Sequence, residues 1–230
     1  MLIKYWMAKD VVTVDENTSV MRATRIMKEN KIRRLPVVSH GRLIGVITDS
    51  DLKDASPSKT FSLDIHELYY LLSEMRVKDV MTTDPITLTG DDTVEKAAMV
   101  ILENKISGIM VVDELGHLVG VLSETDVLRV FLHSTGIKDG AILYCFDLPD
   151  VPGAVGKVID TVRSYGARTL SILTSFADAQ EGHKRVHIRI IITDENKIPP
   201  LSKALAENFK LIYQVRDELK DLPRKKQENK

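Results

Sequence analysis

Two seven-residue stretches hold the residue types best placed to do chemistry: Gly45-Val46-Ile47-Thr48-Asp49-Ser50-Asp51 and Gly120-Val121-Leu122-Ser123-Glu124-Thr125-Asp126. Each reads as the end of an apolar strand, then a hydroxyl residue, then an aspartate three positions later at the start of a helix. One chemistry is a ligand grip. Glycine lets a ligand approach the backbone, a hydroxyl and a helix N-terminus hold phosphate, and a carboxylate accepts both hydroxyls of a ribose. The other is a helix cap: Thr-x-x-Asp and Ser-x-x-Asp fit the pattern in which side chains satisfy orphan N–H groups of the first turn. A cap contributes about 1 kcal/mol and needs no ligand. Local spacing leaves both open.

No other set competes. His183 and His187 are four apart, but a turn running into a strand does not bring such positions to one face. His40 and His117 sit at or beside turns, and His66 and His133 lie on helix faces without a ligand cluster. Cys145 is mid-strand with no base nearby in sequence and reads as a small buried apolar residue. Asp15-Glu16 and Asp91-Asp92 precede helices, where negative charge suits the N-terminal dipole. No catalytic or metal-ligand set is expected.

The elements that must position the two stretches come from a duplication. Met7-Ala8-Lys9-Asp10 aligns with Met81-Thr82-Thr83-Asp84 at an offset of 74, which continues through Val20/Val94, Ala23/Ala97, Asn30/Asn104, Lys31/Lys105 and Val37/Val111. One inserted residue near Leu115 then shifts the offset to 75, giving Gly41/Gly116, Gly45/Gly120 and Asp51/Asp126. Each copy reads as strand, helix, strand, turn, strand, helix, the first helix capped by Thr18 or Ser19 and carrying Val20, Ala23 and Met27 at helical spacing. Single copies have thin cores, so the two are expected to pack face to face about a pseudo-twofold axis.

Between the copies, turn chemistry at 55–62 leads into an amphipathic helix with Leu68, Leu71, Leu72 and Met75 on one face, read as core or dimer surface. From about Ala141 the order becomes βαββαβ: strand 141–146, a rigid Asp150-Val151-Pro152-Gly153 loop, a helix stopped at Gly166, two strands, a helix opened by Pro199-Pro200, and a last strand from Phe209 to Val215. That is the ferredoxin-like arrangement. The boundaries expected are 1–55 and 77–136 for the repeats, 56–76 for the linker helix, 139–217 for the C-terminal domain and 218–230 for a charged, frayed tail.

Lys and Arg total 32 against 33 for Asp and Glu, which argues against a general nucleic-acid binder or a polybasic membrane protein. Apolar runs are strand-sized, Met1–Trp6 lacks signal-peptide features, and the single cysteine allows no internal disulfide. A cytoplasmic location is expected.

The duplicated unit resembles a CBS-domain pair, carrying G-h-x-[ST]-x-x-D twice. The C-terminal unit is similar to an ACT domain, whose mark is a Pro-Gly loop between first strand and first helix. With Ala55–Lys59 and Glu67–Leu72 added, the chain resembles the acetoin-utilisation AcuB-type CBS–ACT proteins. The fold class implied is α+β: a pseudo-twofold Bateman module followed by an ACT-like domain.

The CBS resemblance implies clefts for adenosyl ligands (AMP, ADP, ATP or S-adenosylmethionine) and no catalytic cofactor. Asp51 and Asp126 would take ribose hydroxyls, with Thr48 and Ser123 near phosphate. Thr13 and Thr87, with Val12 and Ile86 beside them, would flank the base. Ile32 to Val37 (Pro36 included) and Ile106 to Val111 (Met110 included) would wall the pockets, with Arg33 and Arg34 supplying charge for phosphates. Repeat two has Ser107-Gly108 in place of the arginines and Met110 in place of Pro36, so unequal clefts are expected. The ACT resemblance implies a small effector at Asp150, Val151, Pro152, Gly153 and Ala154, or dimerisation through a continuous sheet. The function implied is a non-catalytic regulator, a homodimer with a possible regulated partner protein, acting on acetoin-type carbon metabolism. A dimeric scaffold without ligand sensing is the alternative.

Overall fold

The computed structural model describes residues 1–55, 74–139, 142–220 and 222–223. Most of the linker helix expected at 56–76, including Leu68, Leu71 and Leu72, and most of the tail lie outside these residues. The chain divides into two compact units, Met1–Leu128 and Arg129–Lys230.

In the first unit, α1 (Val20–Asn30) starts at Ser19, whose side chain accepts the Arg22 N–H. It buries Val20, Ala23 and Met27, the positions that recur at helical spacing. Helix α1 ends on Lys31, a lysine in the left-handed region (φ 54°), while the Asn30 amide donates back to the Ile26 carbonyl. Strands β1 (Arg34–Ser39) and β2 (Arg42–Thr48) then form an antiparallel hairpin, turned at His40 and Gly41, both with positive φ. Helix α2 (Asp49–Asp54) follows directly.

The second repeat reproduces this. Strand β4 (Thr87–Thr89) precedes α3 (Val94–Asn104), which is capped by Thr93 and ends on Lys105 at φ 53°. Strands β5 (Gly108–Val112) and β6 (Leu118–Ser123) form the hairpin, with a register shift at Val111/Val112 matching that at Val37/Val38. Helix α4 spans Glu124–Thr135. Repeat one shows an isolated bridge, Val14 to Val37, at the place of β4.

The copies exchange their opening segments. Ile3 and Lys4 donate backbone N–H bonds to the Asp92 and Gly90 carbonyls, while Val77 and Lys78, 74 residues later, donate to Thr18 and Glu16. Ala8 and Val121 exchange a pair of N–H···O bonds, and β3 (Thr82–Thr83) adds to the edge of β2 opposite Gly45 and Val46. Ile3 and Val77 are fully buried, and Val77 joins the core of the first repeat with Val20, Leu35 and Ile47. Each repeat is therefore completed by about seven residues from the other, measured from Val77 to Thr83.

The second unit has the expected order. Strand β7 (Ile142–Pro149), α5 (Ala154–Ser164), β8 (Arg168–Ser175), β9 (His183–Ile191), α6 (Ile198–Asn208) and β10 (Leu211–Arg216) build a four-stranded antiparallel sheet ordered β10-β7-β9-β8. Alternate residues Ile142, Tyr144, Phe146 and Leu148 pack with Val158 and Val162 of α5 and Leu201 and Leu205 of α6. Tyr144, buried in that core, keeps its hydroxyl paired with Ser202 at 2.8 Å.

Candidate functional site: two clefts between the repeats

Each Gly-to-Asp stretch ends a hairpin and opens a helix, so its side chains surround a first turn with orphan N–H groups. Thr48 Oγ1 accepts the Asp51 N–H at 3.3 Å, while Asp51 Oδ2 accepts the Thr48 N–H and hydroxyl, each at 2.7 Å. Ser123 and Asp126 repeat the arrangement: Asp126 Oδ2 accepts the Ser123 N–H at 3.0 Å and its hydroxyl at 2.5 Å. Both stretches therefore act as reciprocal caps without any ligand.

The glycines answer to packing. A Cβ at Gly45 would stand 2.6 Å from Met81 Sδ and 3.0 Å from the Thr82 carbonyl oxygen. At Gly120 it would collide with Met7 Sδ and meet the Ala8 carbonyl oxygen at 3.0 Å. The space read from sequence as room for a ligand is filled by the opening methionine of the other repeat.

Because the openings are exchanged, each stretch faces a cleft completed by residues from both copies. One cleft, of about 290 Å³, combines Ser123 and Asp126 with Val12, Ile32, Arg33, Arg34 and Pro36. The other, of about 600 Å³, combines Thr48 and Asp51 with Ile86, Ile106 and Met110, and again Arg33 and Arg34. The volumes are unequal, and the arginines of repeat one line both cavities. Thr13 and Thr87 stand outside them: Thr13 lines a separate shallow groove with Lys9 and Val38, and Thr87 pairs with Met110 in the β4–β5 ladder. Val37 and Val111 are fully buried.

Sequence reasoning passed over polar residues that line the clefts at matched positions, Asp10 and Lys31 in the smaller and Asp84 and Lys105 in the larger. Their signal was the duplication itself: these identities recur at the same offset although no helix stripe or strand face requires them. The lysines occupy the left-handed residue after each helix, which brings them to the cleft rather than to the helix surface.

Charge is concentrated where the clefts meet. Burial, and then the neighbouring Arg33 charge, push the Arg34 guanidinium below the usual arginine range, with Glu124 and Asp126 pulling the other way. In the second unit, Asp150 pairs with Lys184 at 2.9 Å, Val151 is exposed, Gly153 takes a left-handed φ of 83° at the start of α5, and Ala154 belongs to the core. Pro152 lies exposed between them.

A profile of the CBS domain matches residues 3–58 and 77–133, the two repeats with the segments they exchange. A CBS domain-containing protein of Dictyostelium discoideum is 30% identical over 132 residues, covering 57% of this chain and 91% of its own length. The chain belongs to the CBS-domain family.

The uncharacterised protein MJ1225 of Methanocaldococcus jannaschii is 31% identical over 135 residues, covering 56% of this chain. Its crystal structure, described as that of a putative archaeal homologue of g-AMPK, has a TM-score of 0.50 with 47% of that chain covered. A putative acetoin utilization protein (AcuB) from Vibrio cholerae, 21% identical, shares the fold at a TM-score of 0.51, covering 60% of this chain and 96% of that one. The chain spans under half the length of the first curated relatives it matches, 47% of MJ1225 and 23% of an L-aspartate semialdehyde sulfurtransferase from the same organism. Among the described residues, no helix is long and apolar enough to cross a membrane, and no group of three or more His, Cys, Asp or Glu is placed to hold a metal ion.

Proposed function

We propose that this CBS-pair protein is a non-catalytic regulator whose clefts take adenosyl ligands: AMP, ADP, ATP or S-adenosylmethionine. One observation carries the reading. At repeat-matched positions, each capping carboxylate, Asp51 and Asp126, lines a cleft that also holds Arg33 and Arg34. A carboxylate for ribose hydroxyls, apolar walls for a base and guanidinium groups for phosphate are the contacts that a nucleotide needs. Val12 and Ile32 with Pro36 supply the walls of the smaller cleft, and Ile86, Ile106 and Met110 those of the larger. The 600 Å³ cleft has room for a longer phosphate chain, and the 290 Å³ cleft suits a nucleoside or monophosphate.

Ligand binding would act by favouring one arrangement of the repeats over another, a coupling worth about 1–3 kcal/mol. The ACT-like unit would supply either an effector site at Asp150–Ala154 or the contact that makes a homodimer, and its βαββαβ order supports that assignment. Cytoplasmic control of a partner protein in acetoin-type carbon metabolism follows from resemblance alone.

The second reading, a dimeric scaffold without ligand sensing, is favoured by the caps, since Asp51 Oδ2 already accepts two hydrogen bonds from Thr48. Thermal unfolding with a panel of adenine nucleotides and S-adenosylmethionine separates the two. A ligand at a hundred times its Kd adds about 2.7 kcal/mol to the regulator's stability. A scaffold shows no shift with any of them.

A further inference from the structure

Arg34 belongs to both clefts, although the arginine pair exists in one repeat only; the matched residues of the other are Ser107 and Gly108. Its guanidinium reaches across the junction between the copies, where Nη2 donates to the Ser107 carbonyl oxygen and to Ser107 Oγ. Gly108 permits the reach, because a Cβ there would coincide with Arg34 Nη1. Nη1 is buried with no hydrogen-bond partner among the described residues.

An unused donor on a partly buried charge, beside a second arginine, is a place where an anion lowers the energy. The opposing pulls on Arg34 agree: burial and Arg33 disfavour its charge, and the carboxylates of Glu124 and Asp126 only partly offset them. One phosphate relieves that imbalance. A second phosphate, arriving from the other cleft, meets an arginine pair already neutralised and a negative charge already in place.

Resting on the nucleotide reading above, we infer that the two clefts are coupled negatively through Arg34, so that a phosphorylated ligand in one weakens the binding of a phosphorylated ligand in the other. The coupling is carried by charge and is reciprocal. It applies to AMP and not to adenosine. The protein would then respond to nucleotide over a wider concentration range than two independent sites of the same affinities.

Calorimetric titration of the full chain with AMP and with adenosine tests this, using Asp51→Asn and Asp126→Asn, each of which disables one cleft while an asparagine oxygen can still accept the capping N–H. The AMP affinity of the cleft left working is expected to be about 5- to 150-fold tighter than that of the same cleft in the unmodified protein when its neighbour is filled. Adenosine shows no such difference, and Arg34→Met lessens it for AMP, leaving the part that Arg33 and the neighbouring phosphate's own charge supply. If one carboxylate variant fails to fold, the other makes the same measurement from the opposite cleft. Equal AMP constants whether the neighbour is full or empty, an equal difference for adenosine, or a difference undiminished in Arg34→Met each overturn the coupling through Arg34. Absence of heat from both ligands overturns the nucleotide reading beneath it.

Discussion

Met81 lies across Gly45, its sulfur 2.6 Å from where a Cβ would be, in a backbone-to-side-chain contact between one repeat and the opening of the other. Met7 and Gly120 make the same contact in reverse. Gly45→Ala is therefore expected to destabilise the ligand-free protein by about 1–3 kcal/mol through overpacking, and Gly120→Ala similarly. Urea unfolding without nucleotide measures it. Unchanged stability with altered nucleotide affinity would return the glycines to a ligand-approach role.

Capping and ligand contact separate at Thr48 and Asp51. Thr48→Ala loses the acceptor for the Asp51 N–H and is expected to cost about 1 kcal/mol. Asp51→Ala is expected to cost a similar amount of stability and a larger amount of nucleotide affinity, since the carboxylate serves both. Thermal unfolding and calorimetry on the same two variants give the comparison; equal affinity in Asp51→Ala would leave the stretch as a cap only.

Much of this architecture was legible because it is local. Helical spacing placed Val20, Ala23 and Met27, and Val94, Ala97 and Ile101, on buried faces, and the βαββαβ order after residue 141 followed from strand patterning and the Pro-Gly and Pro-Pro signals. Exchange of the openings was not legible. In a duplicated sequence Val77 is equally suited to the sheet of its own copy and to that of its neighbour, and only tertiary geometry chooses. The reach of Arg34 into the second cleft is illegible for the same reason: in sequence Ser107-Gly108 reads as missing charge, whereas the glycine is the gap through which the other repeat's charge arrives. Thr13 and Thr87 were placed at the clefts by family likeness, and they stand beside the lining.

In the second unit Asp147 is buried among Lys210 (2.7 Å), His183 (2.9 Å) and Arg185 (3.5 Å). The Lys210 hydrogen bond first, then those groups, hold its carboxyl below the usual aspartate range against the opposing effect of burial. A depressed folded-state pKa means that the stabilisation is complete above the unfolded value, about 3.9, and is lost as pH falls through the folded one. Chemical denaturation across pH 2–7 should show an acid limb that Asp147→Asn flattens. An unaltered limb would mean that Asp147 is not among the groups whose protonation unfolds the unit.

Hydroxyl recognition by Asp51 and Asp126 is the central claim, and titration of the full chain with AMP against 2′-deoxy-AMP tests it most directly. A carboxylate accepting both ribose hydroxyls loses one charge-assisted hydrogen bond to the deoxy ligand, worth about 1.5–3 kcal/mol, so the deoxy form is expected to bind about 10- to 150-fold more weakly. Equal affinity for the two nucleotides, or no binding of either, would contradict the account.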